Sequence, residues 1–337
     1  MAKLNTRYMG IDLRNPVIAG ASSLTSHMES IKRLEESGAG ALVISSLFEE
    51  QIQLESFVLE EELHNYDNRY AEMLDFFPDI EHSGPDEHLM WVRRAKEAAG
   101  IPVIASLNAV NRPTWVHYAK LLAETGVDGL ELNFYATPTD FEQTAAQIED
   151  EQIATLEEVK KAVSIPISVK LSPFYTNPLS FIGKIDKVGV DGFVLFNRFF
   201  QPDIDVETEK QIIQHNLSTE NDNRIPLRFA GILYDRVKGD VCASTGIMSA
   251  GDVAKMIMAG ASCVQVVSTL FRNKLSHISA LVSGLNDWMD GKGYKDLGSF
   301  RGKLSDKNTP DPWTYRRAQY VRLLLHPEEF TRKFPAL

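Results

Sequence analysis

The chain has 337 residues, 44% hydrophobic and 24% charged, with 46 Asp and Glu against 35 Lys and Arg, a net charge of −11. Such an acidic balance argues against nucleic acid or an anionic membrane as main partner and fits a soluble, cytoplasmic protein. Two cysteines without a CxxC spacing and eight scattered histidines give no metal site, and "MAKLNTRYMG" at the N-terminus has neither a signal-peptide core nor a membrane span.

From the N-terminus, "PVIAGA" (16–21) is the first apolar, β-rich run, followed by an amphipathic stretch over 27–37 and a second strand, "GALVIS" (40–45). A long connection, 47–88, leads to a helix over 86–99 and a third strand, "PVIASL" (102–107). A helix over 112–125 precedes strand four, "GLELN" (129–133), and a helix over 155–163 precedes strand five, "PISVKL" (166–171). A helix over 179–188 leads to strand six, "GFVLFN" (192–197), and a second long connection, 198–235, to strand seven, "VCAS" (241–244). A helix over 250–259 and strand eight, "CVQVV" (263–267), complete the series. The C-terminal stretch, about 311–337, reads as a helical extension in which Trp313, Tyr315 and Tyr320 pack under the domain or against a second subunit.

The stretches "EESGAGALVIS", "AETGVDGLELN", "DKVGVDGFVLFN" and "IMAGASCVQVV" share one plan: a helix tail, a glycine, a short turn and an apolar strand. The glycine stands where a helix ends in a left-handed cap, and strands apolar on both faces suit a parallel sheet covered on both sides. Eight alternating strand–helix units without a dinucleotide fingerprint predict an α/β fold, a (β/α)8 TIM barrel, in one domain spanning 1–337, with long inserts after strands two and six.

Barrel chemistry sits at the carboxyl ends of the strands. Those ends carry Ala21, Ser22 and Ser23, then Ser45, Ser106 and Asn108, Asn133, and Lys170. They continue with Asn197 and Arg198, Ser244, Thr245 and Gly246, and Val267, Ser268 and Thr269. Asparagine offers a donor and an acceptor, so Asn108, Asn133 and Asn197 suit a flat heterocycle. Lys170, inside "SVKLS", is a cation in a strand that faces the core, and burial of an unpaired ammonium is costly. It either reaches solvent or meets a ligand: a flavin ring with negative charge near N1, or a carbonyl substrate forming a Schiff base. The small-residue turn at Ser244–Gly246 with a helix N-terminus beyond, together with Ser268, reads as a phosphate cradle.

These pieces resemble the dihydroorotate dehydrogenases and the related FMN-binding barrel of dihydropyrimidine dehydrogenase. The likeness runs over "NPVIAGAS" (15–22), "ELN" (131–133), "VKLSP" (169–173), Asn197, "TGIMSAGD" and "AGASCVQV". The resemblance implies an FMN-dependent oxidoreductase that oxidises a dihydropyrimidine, with hydride passing to flavin N5. It implies that Ala21 and Ser22 run beside the flavin ring, with Ser45 and Asn108 also on the cofactor. Lys170 would face flavin N1 and O2, while Ser244, Thr245, Gly246, Val267, Ser268 and Thr269 would hold the phosphate. Asn133, Asn197 and Arg198 would contact a small-molecule substrate.

Departures from the family pattern cluster at the strand-four loop. Where the family reads Asn-x-Ser-Cys-Pro-Asn with Cys or Ser as the base, this chain reads Asn133-Phe134-Tyr135-Ala136-Thr137-Pro138. Counting from Asn133 puts Ala136 at the base position, counting back from Pro138 puts Thr137 there, and Tyr135 is a second candidate. The family's lysine after strand two is replaced by Ser45-Ser46. A Schiff-base lyase using Lys170 and a catalytically degenerate flavin-binding protein stand as alternatives. The resemblance also implies a homodimer, with a soluble electron acceptor or a partner protein.

Overall fold

A computed structural model describes residues 2–52, 85–198, 202–213, 217–311 and 313–325. Most of the long connection after the second predicted strand, and the end of the C-terminal extension, lie outside the described residues.

The chain opens with a hairpin, β1 (Thr6–Tyr8) and β2 (Ile11–Leu13), turned at Met9 (φ 56°) and Gly10 (φ 77°). Two left-handed residues in succession are what a tight hairpin needs, and a methionine at the first of them gives little sequence signal. Next come β3 (Val17–Ala19), α1 (Met28–Glu36), β4 (Ala41–Val43) and a two-residue strand β5 (Leu47–Phe48). The series goes on with α2 (Pro85–Ala98), β6 (Val103–Asn108), α3 (Arg112–Glu124), β7 (Gly129–Asn133) and α4 (Ala145–Ala162). It continues through β8 (Ile167–Leu171), α5 (Pro178–Val188) and β9 (Gly192–Leu195). A hairpin follows, β10 (Pro202–Asp205) and β11 (Lys210–Ile213), then α6 (Arg224–Leu233), β12 (Asp240–Ser244) and α7 (Ala250–Ala259). The last elements are β13 (Cys263–Val266), α8 (Ser268–Asn273), α9 (His277–Lys292) and α10 (Ala318–Leu325).

The strands pair in parallel in the order β4-β3-β13-β12-β9-β8-β7-β6, and β4 pairs with β6 to close the ring. This is the expected (β/α)8 barrel, and all eight predicted strands take part. Two apolar cores follow from the alternation along each strand. Outward residues such as Leu130, Leu132, Val169 and Phe193 pack under the helices. Inward residues Ile18, Val43, Ile104, Val194, Cys242 and Cys263 fill the lower half of the barrel with Tyr8 and Met9 from the hairpin. The hairpin therefore plugs the amino-terminal end, and the two cysteines are buried free thiols on adjacent strands.

Several helices differ from the sequence reading. α4 begins ten residues before the predicted start at 155, because Thr144 and Gln147 form a reciprocal capping box. The second long connection is not plain loop: it holds the β10–β11 hairpin and α6. Pro226 occupies the first turn of α6, where a missing N–H costs nothing. At the C-terminus Tyr315 packs on Gly231 of α6 and donates to the Leu304 carbonyl (2.6 Å), whereas Trp313 and Tyr320 are exposed on this chain. Among the described residues no helix is long and apolar enough to cross a membrane.

The plug makes a direct test possible. A Cβ added at Gly192 would lie 2.9 Å from both Met9 Cγ and Tyr8 Cε2, and one at Gly183, on α5, would meet nothing within 4 Å. Gly192→Ala is expected to destabilise the protein by about 1–3 kcal/mol through overpacking. Gly183→Ala is expected to stabilise it by about 0.5–1 kcal/mol, since glycine inside a helix is entropically costly. Urea denaturation of the two variants reads the difference; equal effects would contradict the plugged-barrel packing.

Candidate active site

A cavity of about 970 Å3 opens at the carboxyl ends of the strands, and every barrel strand contributes to its wall. β3 leads to Ala21, Ser22 and Ser23, β4 to Ser45 and Ser46, β6 ends in Asn108, and β7 brings Asn133 and then Tyr135. β8 supplies Lys170, β9 leads to Phe196, Asn197 and Arg198, β12 gives Ser244 to Ile247, and β13 gives Gln265 to Thr269. Phe48, Leu217, Ser218 and Phe271 make up the rest of the lining among the described residues. Of the sequence-predicted site residues Thr137, the alternative base position Ala136 and the buried Ser106 lie outside this lining; Thr137 is exposed in the loop beyond Tyr135.

The barrel interior turns from apolar to polar halfway up. Register places Ser106 beside Glu131, Glu131 beside Ser168, and Asn133 beside Lys170. The side chains of Lys170 and Glu131 are 9% and 1% exposed, and Lys170 Nζ lies 3.4 Å from Glu131 Oε1. Gln265 Nε2 donates to the other oxygen, Glu131 Oε2. This corrects the sequence reading of Lys170, which offered it only solvent or a ligand: the chain supplies the counter-charge itself, one layer deeper in the barrel. The missed residues carried a readable signal, since Glu131 in "GLELN" and Gln265 in "CVQVV" are isolated polar residues in apolar strands, as Lys170 is in "SVKLS".

At the rim Asn197 Nδ2 donates to Asn133 Oδ1 (2.9 Å), so two of the three predicted asparagines form one unit. That bond uses one side of each amide and leaves Asn133 Nδ2 as donor and Asn197 Oδ1 as acceptor. Arg198 Nη1 lies 3.0 Å from Asp222 Oδ2. Burial pushes the Asp222 carboxyl up, but the Thr219 N–H and the Arg198 guanidinium outweigh it and hold it below the usual carboxylate range. Ser45 and Ser46 are engaged below the mouth, with Ser26 Oγ (2.9 Å) and Ser106 Oγ (2.7 Å).

On the opposite side the chain turns at Thr245 (φ 81°) and Gly246 (φ 76°). A side chain at 246 would strike the Asn223 and Thr219 backbone at 2.4 and 2.8 Å, so glycine is required there. Thr245 holds a backbone that favours glycine, and its hydroxyl donates to the Phe196 carbonyl (3.0 Å), tying strand six to strand seven. The helix N-terminus beyond this turn carries a cap of its own. Ser249 and Asp252 form a capping box on α7, and Asp252 also accepts from Met248 N and Asn223 Nδ2. Burial pushes Asp252 up; the Lys255 ammonium, the Ser249 hydroxyl and the Met248 N–H together hold it low. The N–H groups at the start of α8, where Ser268 and Thr269 line the cavity, are those without an intrahelical acceptor.

The wall fits a flavin mononucleotide. Its volume admits a tricyclic ring with a ring-sized ligand, and small residues at Ala21–Ser23 allow close approach. Gln265 Oε1 is buried without a hydrogen-bond partner, an acceptor that a ring N–H would satisfy. Among the described residues no group of three His, Cys, Asp or Glu could hold a metal ion.

The buried pair is expected to behave as a unit. Glu131→Gln and Lys170→Met should each cost about 3–5 kcal/mol, because each strands a buried charge. The double variant should cost clearly less than the sum. Denaturant titration of the four flavin-free proteins measures the coupling, and strict additivity would show that the two groups do not interact.

Comparison with known proteins follows the same residues. The dihydroorotate dehydrogenase family model matches residues 79–289. The chain is 25% identical over 307 residues to the catalytic subunit of dihydroorotate dehydrogenase B (NAD(+)) of Thermoplasma acidophilum, covering 90% of this chain and 99% of the relative. It is 26% identical over 278 residues to the corresponding Methanocaldococcus jannaschii subunit, covering 80% and 87%. Similarity to dihydroorotate dehydrogenase A (fumarate) of Lactobacillus helveticus is 24% over 326 residues, covering 90% and 99%.

Proposed function

The chain belongs to the dihydroorotate dehydrogenase family, and from that premise we propose that it is an FMN-dependent oxidoreductase that oxidises a dihydropyrimidine or a related cyclic amide. The observation that carries this reading is the convergence of all eight strand ends on one cavity with a buried cation, Lys170, in its wall.

When bound, FMN supplies a two-electron acceptor at ring nitrogen N5. The chain's own residues bind and orient around it. Ala21 and Ser22 would line the ring with backbone, Ser45 and Asn108 would border it, and the charge of Lys170 beside it would favour the reduced form. Ser244, Thr245 and Gly246, with Val267, Ser268 and Thr269, would hold the phosphate. That assignment is supported by the glycine-only turn and by the uncapped start of α8.

Asn133 and Asn197 present a donor and an acceptor to the amide edge of the substrate, and Arg198 closes the same side. The proton released from the substrate carbon passes to the strand-four loop. Tyr135 is the group we assign to that transfer, its phenol oxygen taking the carbon-bound proton as its own hydroxyl proton leaves to solvent at the cavity mouth; its presence in the lining, and the exposure of Thr137 outside it, support the choice. Phe48, Phe196 and Phe271 shield the reacting atoms from water. The electrons leave to a soluble acceptor or a partner protein, and the whole chain serves as one barrel domain.

The experiment is to purify the protein, incubate it with FMN, remove the excess and measure flavin absorbance. One flavin per chain is expected, and Lys170→Met should bind it at least about tenfold more weakly, a loss of about 1.4 kcal/mol. A protein that remains colourless after reconstitution would end this reading.

A further inference from the structure

We propose that Cys242 and Cys263 are a redox pair: hydrogen peroxide reaching the barrel interior joins them in a disulfide between β12 and β13. The bridge itself does not depend on the FMN reading above; its effect on the cavity does. These are the only two cysteines of the chain. They are register partners on adjacent parallel strands, both belong to the inward-facing cluster, and both are free thiols without exposure. Neighbouring strands run about 4.8 Å apart, inside the Cα separation of roughly 4.4–6.8 Å that a disulfide spans. The side chains meet: burial pushes the Cys263 thiol up, and its hydrogen bond with Cys242 adds to that shift.

Position gives the pair both its reactant and its consequence. The next inward register pair above it, Ser244 and Gln265, lines the cavity, about 6–7 Å further along the strands. The cavity floor is therefore a short way in for an oxidant little larger than water. One sulfur attacks one oxygen of the peroxide, the O–O bond breaks, and the other oxygen leaves as water with the thiol proton. The second sulfur displaces the hydroxyl of the resulting sulfenic acid, forming the S–S bond and releasing a second water. The two thiols lose two electrons and the peroxide gains them. Burial keeps the attacking thiol protonated, so the reaction is slow. A disulfide holds its Cβ atoms about 3.8 Å apart, which draws β12 toward β13 directly beneath Ser244 and Gln265. Gln265 in turn holds Glu131, and the same two strands lead to the turn at Gly246 and the start of α8.

The test uses the full chain, folded and reduced. It is exposed to hydrogen peroxide, quenched, unfolded in a thiol-alkylating reagent and weighed. The expected product is a single chain that has lost both alkylatable thiols, yields a cross-linked peptide pair containing Cys242 and Cys263, and regains two thiols with dithiothreitol. Cys242→Ala and Cys263→Ala, each checked for its fold by circular dichroism, should form no such bridge. FMN is expected to bind the bridged chain at least about threefold more weakly than the reduced chain, a difference that reduction removes. Two free thiols after exposure, sulfinic acids without a bridge, a bridge between two chains, or a bridge that forms only in denaturant would overturn the proposal. An unchanged FMN affinity in the bridged chain would overturn its link to the cavity. If neither form takes up FMN, the FMN reading fails, while the mass of the oxidised chain still decides the bridge.

Discussion

The ion pair between Lys170 and Glu131, with Gln265 bound to the same carboxylate, is the interaction on which the mouth of this barrel depends. It places a charge where the interior changes from apolar to polar, and it does so without leaving that charge uncompensated. Below the pair, Tyr8, Met9 and the inward aliphatic residues make a dry plug. Above it, amides and hydroxyls take over. A cation at this height, almost buried and 3.4 Å from its own carboxylate, is oriented by the chain itself on the side away from the cavity.

The pair also changes how the site's charge is understood. A buried lysine read alone demands an anion from outside, and a flavin is the obvious donor of one. With Glu131 in place the lysine is tolerable in the empty protein, and its interaction with a flavin becomes a matter of tuning, not of survival. The same pattern recurs at the rim, where Asp222 holds Arg198. Both cations are thus oriented by carboxylates before any ligand arrives, and the neutral amides between them are left to define what the ring must look like.

Much of the barrel was legible in the sequence because its signals are periodic and local. Apolar strands preceded by a glycine turn, such as "GVDGLELN" and "GVDGFVLFN", fix the parallel units, and strand ends fix which side chains meet. What stayed hidden depended on contacts between distant residues. Glu131 and Gln265 lie 134 positions apart, and only closure of the barrel brings them together. The Met9–Gly10 turn lacks the usual Asn-Gly signature, and Pro226 disguises the start of α6. The turn after strand seven was half legible: glycine at 246 was visible, but the capping of α7 by Ser249 and Asp252 was not.

The central claim is that Lys170 and Glu131 act in opposite directions on a flavin bound at the barrel mouth. The midpoint potential of the bound flavin tests it most directly. Lys170→Met should lower that potential and Glu131→Gln should raise it, each by on the order of 30 mV, about 1.4 kcal/mol for a two-electron couple. Potentials that do not move, or that move in the same direction in both variants, would contradict the account.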